Sequence, residues 1–133
     1  MGKYTELQDG IFSIFGGADW LAESISTYPQ NFIPQTAGTE FIRVSILSGT
    51  PGINLESVEG QILIDIFIAA GDGPTRLTVI ADALDLHFVG KLIDAGAGKV
   101  QFHKSVLGTL RSDADDSSLQ SAVYSIPFNY FGV

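Results

Sequence analysis

The sequence predicts an α+β fold, a small, mainly antiparallel four-stranded sheet packed on two helices in the order α-β-β-α-β-β. Three observations carry that expectation. Ile62, Ile64, Ile66 and Ile68 occupy alternate positions of GQILIDIFIAAGDG (60–73), so a strand there buries one whole face. That strand stops at Gly71-Asp72-Gly73, and Pro74 opens a run with apolar residues at helical spacing, which places a helix directly behind it. Residues 41–48, FIRVSILS, alternate Ile42, Val44 and Ile46 with Phe41, Arg43, Ser45 and Leu47, the pattern of a partner strand.

Taken in order, residues 4–15 place Leu7, Ile11 and Ile14 at helical spacing, and after a break at Gly16-Gly17 the stretch ADWLAESI adds one or two turns. Residues 28–39 contain two prolines, a glycine and no consistent period, which predicts an extended surface connector pinned by Phe32 and Ile33. If the next two strands form a hairpin, matching their apolar faces sets Ile46 opposite Ile62 and Val44 opposite Ile64. The same register sets Arg43 against Asp65, a cross-strand ion pair on the second face. Phe41, Leu47, Leu63 and Phe67 keep that face apolar, so the sheet is expected to be covered on both sides.

The helix from Pro74 to about Val89 turns Leu77, Ile80, Ala81, Leu84 and Phe88 to the core. Val79, Ala83 and Leu86 lie nearly opposite, a second stripe expected to meet a partner subunit or a covering N-terminal segment. Residues 99–107 read as a third strand and 121–131 as a fourth, placed at an edge or bulged because Pro127 cannot donate to a ladder. Between them RSDADDSSLQ reads as a mobile acidic loop. No repeat of solenoid length is present.

Composition narrows the function. At 133 residues the chain is one domain, 1–133, and the absence of cysteine excludes disulfides and thiolate chemistry. Fifteen acidic against seven basic side chains give a formal charge of −8, which repels a phosphate backbone and argues against a nucleic-acid-binding patch. No apolar run reaches the length of about 18 residues that a membrane span needs, and MGKYTELQDG lacks a signal-peptide core. A soluble protein made and used in a cytoplasm is expected. With 45% apolar residues and nine Phe, the surplus suggests subunit interface.

Candidate chemistry is sparse. Asp82, Asp85 and His87 are the nearest approach to a metal or acid-base cluster, but Asp82 and His87 diverge by about 140° around a helix. His103 stands on a strand without partner spacing. Asp113, Asp115 and Asp116 resemble a fragment of a calcium loop that lacks the glycine turn and terminal glutamate. Gly71-Asp72-Gly73-Pro74 sits where phosphates are captured, yet its aspartate repels an anion, and a tight turn with an N-cap accounts for it. Phe12, Phe15, Trp20 and Tyr28 could line a ligand cage, although aromatic residues near a helix are more often core. Neither a Gly-x-Ser-x-Gly elbow nor a Walker lysine occurs. No enzyme, cofactor or metal is expected.

The connector Asn31 to Pro34, the strand Phe41-Ile42-Arg43-Val44, the isoleucine strand with its Gly-x-Gly turn, the helical Ala81-Asp82-Ala83-Leu84 and the closing Tyr124-Ser125-Ile126-Pro127-Phe128 together resemble the tail terminator-like proteins of tailed bacteriophages. The resemblance spans nearly the whole chain and rests on the combination. It implies a structural virion protein without catalysis, a ring-forming subunit, typically hexameric, that caps the tail tube and joins it to the head-side neck. Implied partners are further copies of the chain, the tail tube protein and a head-side neck or connector protein. DNA would pass without specific binding, no membrane is involved, and the protein would be assembled in the bacterial host cytoplasm into the tail-neck junction. Val79, Ala83 and Leu86 would then lie in or near a subunit contact, and Asp113, Asp115 and Asp116 would face the channel or neighbouring tail parts. Another neck or minor tail subunit, and a small-molecule-binding or enzymatic α+β domain, remain alternatives.

Overall fold

The computed structural model describes residues 2–29, 40–51, 57–69, 74–112 and 119–132. Helices α1 (Lys3–Phe15) and α2 (Ala18–Leu21) lead into strands β1 (Thr27–Pro29), β2 (Phe41–Pro51) and β3 (Val58–Ala69). Helix α3 (Pro74–Phe88) follows, then β4 (Leu92–Ala95), β5 (Gly98–Phe102), β6 (Val106–Leu107), β7 (Arg111–Ser112) and β8 (Leu119–Phe131). The strands form one mixed sheet in the order β1-β2-β3-β8-β5-β4, with β6 and β7 also paired to β8. Among the described residues only the β1–β2 pairing is parallel. The fold is predominantly β and its sheet curls into a half-barrel.

This corrects the four-stranded sheet on two helices. The additional strands are short. Among the described residues the pairing of β1 is carried by Thr27, Tyr28 and Pro29, in a stretch where no side-chain period marks a strand. Strand β4 is four residues joined to β5 through a two-residue turn, with Gly96 at φ +61°, a conformation glycine adopts without steric cost. The expected strand 99–107 is two strands, interrupted at residues 103–105. The expected edge strand 121–131 is central, held by β3 along one side and by β5, β6 and β7 along the other.

Pro127 is tolerated in this central strand without a bulge, because the register with β3 runs unbroken from Val58–Tyr130 to Ala69–Leu119. In a strand the N–H and C=O of one residue point the same way, and the Pro127 carbonyl accepts from His103 N at 3.0 Å. Its missing donor therefore falls where β5 ends and β6 has not begun.

The β2–β3 hairpin has the register expected from its apolar faces, with Ile46 opposite Ile62 and Val44 opposite Ile64. Ile62, Ile64, Ile66 and Ile68 are fully buried. They share one core with Leu7, Ile11 and Phe15 of α1, Trp20 of α2 and Leu77, Ile80, Leu84 and Phe88 of α3, so the helices lie on that face. Helix α1 rests on the β4–β5 hairpin at Gly10, where a Cβ would stand 2.6 Å from Ala95 Cβ. Among the described residues no helix lies on the other face. Among the described residues it holds a small buried cluster of Phe41, Phe67 and Leu119 with Tyr28 against it, while Leu47, Gln61 and Pro127 are exposed.

Candidate functional site

Among the described residues, the features available for function are two surfaces, the polar groups between them and two concavities. On the outer side of α3, Val79 is 46% and Leu86 66% exposed, as a stripe pointing away from the sheet requires. Ala83 does not belong to that stripe. It is buried in the core, because it stands only about 60° around the helix from Ile80 and one turn before His87, whose ring lies edge-on to Trp20 at 5.3 Å. The N-terminal segment thus reaches this flank of α3.

On the opposite side of the molecule, Arg43 stands directly opposite Asp65, with Nε 3.7 Å from Oδ2 and both side chains more than a third exposed. The Arg43 guanidinium also lies 5.1 Å from the Phe67 ring centroid, above the buried cluster. Farther along this face His103 Nε2 meets Asn129 Oδ1 at 2.7 Å, and Asn129 Nδ2 donates to Glu59 Oε1 at 3.3 Å. Asp113, Asp115 and Asp116 lie outside the described residues, as do the connector residues Phe32 and Ile33 and the Gly71-Asp72-Gly73 turn.

Asp82, Asp85 and His87 are not brought together. Asp82 is exposed. Asp85 Oδ1 accepts two short hydrogen bonds, from Tyr124 OH and from Ser105 Oγ, both at 2.6 Å. Burial, reinforced by the bond to Asp85, holds the Tyr124 hydroxyl well above its ordinary pKa, so it remains a donor and fastens α3 to β8. His87 Nε2 lies 3.5 Å from Glu23 Oε1, close enough for attraction but not aligned for a hydrogen bond, and it is shielded from solvent. Among the described residues no three metal-ligating side chains converge.

Sequence reasoning missed the Asp85 hub. Its signals were present: Asp85 follows Ala81 by one turn at the border of the buried stripe, and an inward-facing Tyr124 needs a partner for its hydroxyl.

Phe15 packs 5.2 Å from both Trp20 and Phe88 between ring centroids, and Phe88 continues to Phe102 at 5.1 Å. Phe15 and Trp20 are therefore core. With Phe12 and Tyr28 they also border a concavity of about 610 Å³ between α1, α2 and β1, in which the Trp20 indole N–H is already bonded to Thr27 Oγ1 at 2.9 Å. A second hollow, about 550 Å³, lies between the α2 turn and α3, lined by Asp19, Ala22, Glu23, Leu86, His87 and Lys91. Among the described residues no helix is long and apolar enough to cross a membrane.

No protein-family model matches this chain, and no curated protein does. A solved structure is similar at 16% identity, with a TM-score of 0.64 over 90% of this chain and 86% of that one. At that identity the similarity shows a shared fold.

Proposed function

We propose that this protein is a structural subunit of a bacteriophage tail, which assembles into a ring, a hexamer in the family it resembles, that caps the tail tube and joins it to the head-side neck. One observation supports the reading most: among the described residues the sheet carries its helices on one face only, and apolar side chains stand exposed both on the other face and on the outside of α3. Lateral neighbours would remove that surface from water. A net charge of −8 suits a passage through which DNA slides without being held. Negative-stain imaging of the purified protein, alone and mixed with tail tubes, tests the reading. Rings alone or at tube ends are the expected outcome, and particles that stay monomeric and leave tube ends bare would refute it.

A neighbouring neck or minor tail subunit would give the same surfaces, and imaging separates it by where the protein binds. A second reading, a small-molecule-binding module, draws on the aromatic concavity beside α1. Trp20, the single tryptophan, borders it and reports on occupancy. Saturable fluorescence changes with small aromatic compounds, in a protein that forms no rings, would favour this reading over the first.

A further inference from the structure

We infer that one copy of this chain docks the outer stripe of α3, Val79 to Leu86, onto the sheet face turned from the helices of the next copy, in a head-to-tail contact. The inference deepens the ring reading and rests on it. It begins from where the exposed large apolar residues fall. Leu86 and Val79 stand on the helix side, and Leu47, Leu92, Val106 and Phe131 on the sheet side. The sheet side follows from register: Val106 pairs with Ser125, Phe131 with Lys99 and Leu92 with Gln101, all in phase with Leu63 and Asp65 on the face turned from the helices.

Charge selects which surfaces can meet. The three helices carry Lys3 and Arg76 against Glu6, Asp9, Asp19, Asp82 and Asp85, a net of −3. The described part of the sheet face turned from the helices carries Arg43, Lys99 and Arg111 against Glu59, Asp65 and Asp94, a net of zero. Two of those carboxylates are paired within the face, Asp65 to Arg43 and Asp94 to Lys99 at 2.5 Å. Helix layer against helix layer brings like charges together. Sheet against sheet would stop at a two-fold dimer and leave Val79 and Leu86 in water. Helix layer against sheet uses both patches without a charge conflict, and unlike patches on opposite sides of one molecule generate rings or filaments.

The test uses two full-length variants, Leu86→Lys and Val106→Lys, with sedimentation velocity over a concentration series and thermal melts to verify folding. Both positions are 66% exposed, so the fold tolerates them, and each lysine lowers the net negative charge, so weaker assembly cannot come from added repulsion. Each variant alone should assemble at least about tenfold more weakly than the wild type, because a lysine is forced into a desolvated contact. Mixed one to one, they should form dimers that do not grow, since the sheet face of Leu86→Lys and the helix stripe of Val106→Lys are both intact. A wild type that assembles while either variant assembles equally well, or variants that remain monomeric when mixed, would overturn the docking and leave the ring reading standing. A wild type monomeric at every concentration, with bare tube ends, would overturn both.

Discussion

At the scale of single residues, the polar groups divide into those that bear on stability and those that do not. Tyr124 OH bonds to a carboxylate that also holds Ser105, so Tyr124→Phe removes a charge-assisted bond and should cost about 1–2 kcal/mol at pH 7 by urea denaturation. The pH dependence follows from the raised pKa. The folded chain keeps the Tyr124 proton at pH values where the unfolded chain, near its ordinary value of about 10, has lost it. That contribution is complete below about pH 10 and disappears as pH rises through the higher folded value. Between pH 9 and 11 the wild type should therefore lose more stability than Tyr124→Phe, and equal slopes would remove Tyr124 from the account. Arg43→Met is expected to cost only about 0.5–1 kcal/mol in the free chain, since the pair with Asp65 is more than a third exposed and solvent-screened. A loss of several kcal/mol would mean that this face is buried already.

At the scale of elements, two contacts decide how the helices sit on the sheet. Helix α1 approaches β4 through Gly10. An alanine there gains about 1 kcal/mol of helix propensity, but its Cβ would meet Ala95 Cβ at 2.6 Å and Cα at 3.0 Å, and overpacking of that kind costs about 1–3 kcal/mol. Gly10→Ala should thus be destabilising, and Ala95→Gly in the same chain should recover part of the loss; a more stable single variant would show that α1 is free to lift away. Strand β3 is the opposite case, with no slack at all. Ile64 is fully buried in the core that the sheet shares with the helices, and Ile64→Asp puts an unpaired charge there at several kcal/mol, against a total stability of about 5–15 for a domain. Loss of the cooperative melt is expected, and a soluble variant that still melts cooperatively would contradict the placement of the helix layer.

At the scale of the whole molecule, the distribution of charge governs association. Copies carrying −8 repel one another, and at about 0.15 M salt the screening length is already near 8 Å. Assembly should strengthen as salt rises from about 0.02 to 0.3 M, measured by sedimentation, because the proposed contact is apolar while each whole copy carries the same net charge of −8. Assembly that weakens with salt would point to ion pairs across the interface. Ala83 changes its role at this scale. Buried in the core on the flank of α3 that the N-terminal segment reaches, it is a folding residue, so Ala83→Glu should unfold the chain rather than leave a folded monomer unable to associate.

Periodic burial is a local property, and the sequence by itself determined whatever depends on it. The two-residue period set the β2–β3 register and the face that Ile62 to Ile68 bury, and the helical period set Val79 and Leu86 outward. Tertiary structure alone decided the rest. Strands as short as β1, β6 and β7 exist because a neighbour offers an unpaired edge, which no side-chain pattern within three residues can announce. Pro127 reads as an edge marker until the gap between β5 and β6 is known. Ala83 lies at the border of two helix faces, and a methyl group is too small to indicate which one packs. Asp85 looks like a solvated carboxylate until β8 delivers Tyr124 to it. In each case the deciding partner comes from another part of the chain, and only folding brings it near.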